Sequence, residues 1–426
     1  MSARPTPYQA RVAIGARAAP VGKLAFVRDR RREYCAFAYG EAWLHSQERF
    51  EISPDLPLRD GWVTRRAPTE QDSPFPFALA DTAPDAWGAR VIRRAHAKRR
   101  AQNPSLAPLT AFDLLAAVDD FSRVGALRLI DANGQFLRSM PHELTPQLID
   151  LGRIAQAARH VEEGVETAGD LEYLQGKATS LGGLRPKCTV LEEDGSLAIG
   201  KFPSAQDEHS VVRAEVLALN LYAQAGCRVA GARVFCIDQT DVAVIRRFDR
   251  LANGARIPYL SGGSVLRARR DEDRTYFELA DAIRAISPDP TADTRELWRR
   301  LVANLLLNNV DDHLWNVGFL YAGDGKWELA PAFDVNPFPD KTHESKTWLS
   351  EDTGPITSFE QLLAGSRYFG LSRTDAEAIA AAVAVALGTW RSLASSREVG
   401  LTAKELAALE PAFEHDDARA ARALAR

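Results

Sequence analysis

A polar segment, Asn309–Asn316, directly follows a leucine-rich stretch and carries carboxylate, imidazole and carboxamide groups. Within it, Asp311 and Asn316 are five residues apart. Loops that transfer phosphoryl groups use this separation, with the aspartate accepting the proton of the attacking hydroxyl and the asparagine holding Mg²⁺. The spacing therefore predicts Asp311 as a catalytic base and Asn316 as a metal ligand. Asp312, four residues before Asn316, is the alternative base.

A further carboxylate follows two short apolar runs. Val317–Tyr321 and Trp327–Leu329 flank a Gly-Asp-Gly turn, which is the composition of a β-hairpin. Such a hairpin folds the chain back and returns Asp334 toward Asn316. Hard oxygen ligands of this kind suit Mg²⁺, so Asp334 is predicted as the second metal ligand.

His313 lies inside the polar segment. No HExxH motif accompanies it, and the next histidine downstream is His343. We therefore assign His313 to the catalytic loop, as a hydrogen-bonding support and not as a metal ligand.

Phosphoryl transfer from a nucleotide also requires a cation near the phosphates. Lys201 ends a predicted strand, Ala198–Phe202, and Glu215 lies on the predicted helix Val211–Ala225. An ion pair between them would aim the ammonium group at the phosphates. The alternative is that both are solvated surface charges.

A glycine-rich loop precedes another predicted strand, Thr189–Leu191. Gly182 and Gly183 would let backbone N–H groups approach a phosphate closely, and Arg185 and Lys187 add positive charge. The segment matches neither GxxxxGK[ST] nor GxGxxG. A tight surface turn is the alternative to a phosphate-binding loop.

The elements that must position these residues change in type along the chain. Short strands are predicted before residue 65, helices between 75 and 120, strands again around one helix up to 250, and mostly helices beyond 275, the clearest beginning near Thr294. We predict an α+β, two-lobed protein-kinase-like fold with a mostly β N-lobe, an all-α C-lobe and an N-terminal α/β accessory subdomain. The predicted boundaries are 1–65 (β-rich), 66–150 (helical or mixed accessory part), 151–250 (nucleotide-binding N-lobe) and 251–426 (helical C-lobe).

Bulk composition limits the other classes. The net charge is −4, so nucleic acid is not expected as the main ligand, and the four cysteines lack metal-site spacing. The N-terminus has no apolar signal region, and the longest apolar run, Ala378–Leu387, is shorter than the ~20 residues of a membrane helix. A cytoplasmic protein without a membrane partner is predicted. The basic run Arg90–Arg100 is either a solvated helix face or a contact for DNA phosphates.

Taken together, the motifs resemble the HipA family of serine/threonine-protein kinase toxins of type II toxin-antitoxin systems. The resemblance covers about residues 35 to 415 and is carried by the segments Leu79–Gly88, Val124–Arg128, Gly182–Lys187, Arg247–Arg250, Asp311–Asn316 and Ala332–Asp334, in that order.

The resemblance implies further residue roles. Lys201 would contact the α- and β-phosphates of ATP, and Gly182–Lys187 would cover the phosphates. Arg246 to Phe248 would form a hinge that meets adenine through its backbone. Ser180 occupies the place of a serine that becomes autophosphorylated and inactivates the enzyme, with Thr179 as the alternative site. Phosphate there would add up to two negative charges beside the loop.

The implied activity is transfer of the ATP γ-phosphoryl group, with Mg²⁺, to a serine or threonine of a protein serving translation, such as a translation factor or an aminoacyl-tRNA synthetase. The implied partner is a HipB-like antitoxin, and DNA would be reached only through it. Two alternatives stay open: a small-molecule kinase on the same fold, and a non-catalytic nucleotide-binding partner of a DNA-binding antitoxin.

Two positions depart from the family pattern. The residue before the loop asparagine is commonly lysine, but Trp315 stands here, so a cation that could neutralise the transferred phosphate is missing from the loop. The hinge often begins with an acidic residue, whereas this chain has Arg246. Trp315 is the feature that keeps the non-catalytic alternative open.

Overall fold

A computed structural model describes residues 8–30, 32–67, 69, 72–139, 145–175, 183 and 185–425 of the chain. These residues form two compact units. The first comprises the chain up to residue 205 with 249–260 and 269–271, and the second comprises 206–248, 261–268 and 272 onward.

The first unit contains a five-stranded antiparallel sheet with the strand order β4-β3-β2-β1-β5. Its strands are β1 (Tyr8–Ile14), β2 (Ala19–Asp29), β3 (Arg32–Tyr39), β4 (Val63–Arg66) and β5 (Leu127–Ile130). Alternate side chains point into the core, among them Val12, Leu24, Phe26 and Phe37. The prediction of strands before residue 65 is confirmed.

Among the residues of this unit that are described, six α-helices accompany the sheet. They are α1 (Glu41–Leu44), α2 (Phe77–Ala80), α3 (Ala86–Gln102), α4 (Ala111–Ala116), α5 (Leu151–Glu163) and α6 (Ala168–Gln175). Helices α1, α5 and α6 were not predicted, although Leu151, Ile154, Ala158 and Val161 of α5 are buried at helical spacing. Gly164, with φ of 76°, ends α5 in the left-handed conformation that glycine adopts readily.

Part of the basic charge on α3 is neutralised within the same unit. Arg94 pairs with Glu166 at 2.8 Å, and the Lys98 ammonium lies 3.8 Å from the same carboxylate. Arg90, Arg93, Arg99 and Arg100 are exposed. The predicted helix is confirmed, and both readings of its basic face stay predictions.

Two of the sequence motifs meet in the first unit. The Gly125 N–H donates to the Asp249 carboxylate at 2.7 Å, and Arg250 donates to the Gly125 carbonyl at 2.9 Å. Arg250 also pairs with Asp249 at 2.7 Å. Gly125 has φ of 70°, and a Cβ there would lie 3.1 Å from Tyr259, so a larger residue would strain this junction. The motif residues Gly125 and Asp249 thus have a structural role.

The first unit ends in an antiparallel hairpin of β6 (Lys187–Leu191) and β7 (Leu197–Lys201). Its register places Lys187 directly opposite Lys201, and both residues are buried.

The second unit begins with α7 (Val211–Gln224) and the antiparallel hairpin of β8 (Ala232–Ile237) and β9 (Thr240–Arg246). The short strand β10 (Tyr259–Ser261) spans a point in the chain where segments of the two units join. The remaining elements are α8 (Gly262–Val265), α9 (Tyr276–Ile286), α10 (Pro290–Leu306), β11 (Gly318–Gly323), β12 (Lys326–Leu329), β13 (Trp348–Ser350), β14 (Gly354–Pro355), α11 (Phe359–Ala364), α12 (Arg373–Leu387), α13 (Trp390–Ala394), α14 (Ala403–Phe413) and α15 (Asp416–Ala423).

The central helix α10 begins earlier than predicted. Its first residue is Pro290, and the Asp289 side chain accepts the Ala292 N–H at 3.0 Å. An aspartate N-cap followed by proline is a strong helix start, because proline lacks the N–H that would be unsatisfied there. The prediction near Thr294 was therefore one turn late.

One stretch of the described residues, Arg373–Ala394, is long and apolar enough by composition to span a membrane. It consists of α12 and α13, and Ala376, Ala380, Val383 and Trp390 are buried within the second unit. These contacts give the stretch a role as core of the helical unit.

Candidate active site

The polar segment begins where α10 ends. Asn308 has φ of 54°, a left-handed conformation that asparagine tolerates. Its amide nitrogen donates to the carbonyls of Phe338 and Lys341 at 2.6 and 2.7 Å, and its side-chain oxygen lies 3.0 Å from His343 Nδ1. The end of α10 is therefore tied to the chain that follows Asp334.

The predicted hairpin is confirmed. β11 and β12 pair antiparallel around the Gly-Asp-Gly turn, with Phe319 opposite Leu329. The chain then returns across the unit, because the Ala332 N–H donates to the Arg228 carbonyl at 2.7 Å. Asp334 has φ of 56°, a conformation that costs energy outside glycine and often marks functional sites.

Asn316 and Asp334, the two predicted metal ligands, line one cavity of about 40 Å³ in the second unit. The Asn316 amide nitrogen donates to the Asp311 carbonyl at 2.8 Å, so its side-chain oxygen is the atom left for a cation. One carboxylate and one carboxamide fit Mg²⁺, which completes its shell with water and phosphate oxygens. In the part of the chain that is described, no group of three or more His, Cys, Asp or Glu is arranged for a metal ion.

Asp311 immediately precedes Asp312, which lines this cavity, and the side chain of Asp311 is 38% exposed. It forms an ion pair with the ammonium group of Lys346. Its exposure suits a residue that must reach a substrate hydroxyl. The catalytic role of Asp311 stays a prediction.

Asp312 has a different environment, which disfavours it as the base. Its carboxylate accepts the Tyr276 hydroxyl at 2.6 Å and the Lys346 backbone N–H at 2.7 Å. Burial raises the pKa of Asp312 to about 6, although the hydrogen bonds from Tyr276 and Lys346 oppose the shift. Burial also raises the pKa of Tyr276. Asp312 also lines the cavity, but its carboxylate is buried and bound to Tyr276 and to the Lys346 backbone, so we assign it to holding the loop in place.

The Asp312 carboxyl should make the stability of the protein depend on pH. The folded state keeps this proton up to about pH 6, whereas the unfolded chain releases it near 3.8, so the folded state loses stability as pH rises through this window. Replacing Asp312 with asparagine removes the effect. Between pH ~4 and ~7, the wild-type free energy of unfolding should fall by about 3 kcal/mol relative to Asp312→Asn. Urea unfolding of both proteins across this range tests it, and parallel pH profiles would contradict it.

His313 contacts the loop through its backbone. Its backbone carbonyl accepts the Asn316 N–H at 2.8 Å. Its ring lies 6.2 Å from the Trp315 ring, and burial lowers the pKa of the imidazole. Within the described residues, Nδ1 is buried without a hydrogen-bond partner. The hydrogen-bonding support seen here therefore comes from the backbone and not from Nδ1.

The predicted phosphate-binding residues of the first unit that the structure describes lie before and within the β6–β7 hairpin. Gly183 has φ of 109°, and its carbonyl accepts the Trp87 N–H at 3.3 Å. Lys187 pairs with Asp85 at 3.1 Å, with both side chains buried. Lys201 is buried opposite Lys187, and Arg185 lies two residues before the hairpin begins. Lys201 is therefore no solvated surface charge.

Two predicted site residues, Gly182 and Ser180, lie outside the described residues, as does Thr179. Their roles in covering phosphates and in autophosphorylation stay predictions.

The remaining predicted nucleotide-binding residues belong to the second unit. Glu215 is buried on α7, so it too is no surface charge. The Arg246 N–H donates to the Gly231 carbonyl at 2.7 Å, so this N–H is already used within the unit. The Phe248 ring lies 5.5 Å from that of Phe333, so the predicted hinge contacts the Phe-Asp segment. The ion pair between Lys201 and Glu215 stays a prediction.

Sequence reasoning missed two residues at this site. Tyr276 precedes Asp312 by 36 residues, and Lys346 follows Asp311 by 35, without a motif around either. Only the fold brings them to the loop, so no spacing pattern could have indicated them.

Two family models match the chain: the HipA N-terminal domain over residues 12–130 and the HipA-like C-terminal domain over residues 179–390. A curated relative, "Putative kinase Y4mE" of Sinorhizobium fredii (strain NBRC 101917 / NGR234), is 23% identical over 336 residues, covering 73% of each protein.

Among solved structures, the fold is similar to a chain in the complex of HipA, HipB and operator DNA from the Shewanella oneidensis MR-1 toxin-antitoxin system. The TM-score is 0.67 at 16% sequence identity, covering 97% of this chain and 96% of that one. The fold is thus α+β and kinase-like, as predicted. With family models matched at both its N-terminal and C-terminal parts, the chain belongs to the HipA family.

Proposed function

We propose that this chain is an ATP- and Mg²⁺-dependent kinase that phosphorylates serine or threonine on a protein. The observation that carries the proposal is the convergence of Asn316 and Asp334 on one cavity, with Asp311 beside it. Phosphoryl transfer is catalysed mainly by positioning and by charge neutralisation, and this group of residues offers both.

Each residue of the loop has a separate task. Asp311 accepts the proton of the attacking hydroxyl, and its exposed side chain supports that role. Asn316 and Asp334 would hold Mg²⁺, which when bound neutralises phosphate charge. Asp312 and the His313 carbonyl keep the loop in shape.

The nucleotide phosphates are bound by the lysines of the β6–β7 hairpin. Like charges directly opposite each other destabilise an antiparallel pair. Lys187 and Lys201 occupy such positions in a buried environment, and Asp85 pairs with Lys187 at 3.1 Å. We assign Lys201 to the α- and β-phosphates of ATP, as the family resemblance implies. Gly182, Gly183 and Arg185 would close over the phosphates, Glu215 would orient Lys201, and Arg246 and Phe248 would flank adenine.

The partner and the substrate follow from family membership. A HipB-like antitoxin is the proposed partner, supported by the HipA–HipB–DNA composition of the similar Shewanella structure. The substrate is a cytoplasmic protein serving translation, and phosphorylation of Ser180 limits the activity of the kinase itself. DNA would be reached only through the antitoxin.

The test is incubation of the purified chain with γ-labelled ATP and Mg²⁺, beside Asp311→Ala and Ser180→Ala. We expect label on the wild-type protein, its loss from Asp311→Ala and a strong reduction in Ser180→Ala. Phosphoproteomics of cells expressing wild type or Asp311→Ala then identifies the substrate. Label found only on a metabolite would favour a small-molecule kinase, and nucleotide binding without any transfer would favour a binding module.

A further inference from the structure

The catalytic loop carries an indole where related loops carry a cation. Trp315 packs against α8, where a Cβ added at Gly263 would lie 2.6 Å from the indole. The absence of a side chain at Gly263 therefore makes room for Trp315. The indole contributes packing at this position and no positive charge.

A cation reaches the same loop from a distant segment. The Lys346 ammonium contacts the carboxylate of Asp311, and the Lys346 backbone N–H donates to Asp312 at 2.7 Å. One residue thus binds two consecutive aspartates, through its side chain and through its backbone. Because Asp312 is buried, its contact with the backbone of Lys346 fixes the position of the Lys346 backbone relative to the loop.

The segment that carries Lys346 is held on both sides. The Thr347 hydroxyl donates to the Asp312 carbonyl at 2.9 Å, and the Trp348 N–H donates to the Arg274 carbonyl at 2.9 Å. On the other side, the Ser345 N–H donates to the Ile356 carbonyl at 3.1 Å. Ser345 and Thr347 are buried, whereas Lys346 is 52% exposed between them. The backbone is anchored, and the ammonium group faces the side of the loop that solvent and substrate can reach.

We propose that Lys346 is the catalytic cation of this enzyme, supplied by the segment after Asp334 in place of a lysine at position 315. This inference rests on the proposed kinase function. In the reaction, the substrate hydroxyl oxygen bonds to the γ-phosphorus, the bond from that phosphorus to the β–γ bridging oxygen breaks, and ADP leaves. The hydroxyl proton passes to Asp311. Lys346 moves from Asp311 to the γ-phosphoryl oxygens and neutralises their charge during transfer.

Removal of the charge tests the role directly. Lys346→Met keeps most of the side-chain length, and it should lower kcat by about 100-fold. The affinity for ATP should change little, because the lysine acts on the group in transfer. Lys346→Arg should keep part of the activity, since it retains the charge but not the compact ammonium. Lys341→Ala, in the same segment and exposed, is the matched control and should behave as wild type.

Rescue separates a catalytic role from a structural one. In the Lys346→Met background, Trp315→Lys places a cation on the loop itself. The kcat of this double variant should be at least about tenfold higher than that of Lys346→Met, whereas Trp315→Ala should not raise kcat. Thermal unfolding of each variant checks that it folds.

The outcomes are distinct for the two proposals. Wild-type transfer with an unchanged or higher kcat in Lys346→Met would overturn the assignment of Lys346 and leave the kinase function standing. If kcat falls in Lys346→Met and both Trp315→Lys and Trp315→Ala raise it again to the same extent, the assignment of Lys346 is also overturned. If wild type binds ATP but transfers no phosphate to itself or to cellular proteins, both proposals fail together.

Discussion

Replacement of Asp311 by asparagine is expected to lower the rate of phosphoryl transfer by about 10²–10⁴-fold, the usual contribution of a positioned general base. The variant keeps the size of the side chain but removes the group that accepts the hydroxyl proton. The Asp311 carbonyl, which accepts the Asn316 amide, is unchanged, so the predicted metal ligand Asn316 keeps its orientation. Initial rates with saturating ATP, together with the ATP affinity, measure the effect. The loss should appear in kcat, with nucleotide binding nearly intact.

Asp324→Asn is the matched control for this experiment. Asp324 is exposed in the turn between β11 and β12, and its φ of 49° is tolerated by asparagine. It should therefore transfer phosphate at the wild-type rate. If Asp311→Asn retained more than about a tenth of the wild-type kcat, general-base catalysis by Asp311 would be excluded.

Replacement of Asp334 by asparagine should lower transfer by at least about 100-fold, because it removes negative charge from the proposed metal site. Asparagine keeps the left-handed backbone at this position, so folding should be largely preserved. The Mg²⁺ concentration that gives half-maximal rate should rise, which a purely structural defect would not produce. Titration of the rate with Mg²⁺ at fixed ATP measures this shift.

Two further variants control the Asp334 experiment. Asp334→Ala should be equally inactive, and it should also unfold at lower temperature, because a left-handed backbone costs alanine about 1–2 kcal/mol. Asp340→Asn, at an exposed position six residues further on, should leave the Mg²⁺ dependence unchanged. Full activity of Asp334→Asn would refute the metal role.

Local pattern was sufficient for most secondary structure. The hairpin around Gly323-Asp324-Gly325 was predictable because its turn residues and flanking apolar runs determine it locally. The start of α10 was predicted one turn late, although the N-cap Asp289 and the following Pro290 mark it in the sequence. Helices α5 and α6 were missed although their apolar spacing was present in the sequence.

The roles of the two neighbouring aspartates could not be separated from the sequence. Asp311 and Asp312 have the same chemistry and almost the same distance from Asn316. Burial distinguishes them, since Tyr276 and the Lys346 backbone enclose Asp312 and leave Asp311 accessible. Burial of one side chain depends on what packs over it, and here the covering residues come from distant parts of the chain.

By itself, the sequence determined the family, the kinase-like fold and the order of the loop, the hairpin and the Phe-Asp segment, because each depends on residue types at short spacing. Only the tertiary structure decided which aspartate is covered and where the cation missing from position 315 comes from. Lys346 is 35 residues from Asp311 and becomes its neighbour when the segment after Asp334 packs against the loop. A contact of that kind arises from the packing of whole elements, so a local sequence pattern does not predict it.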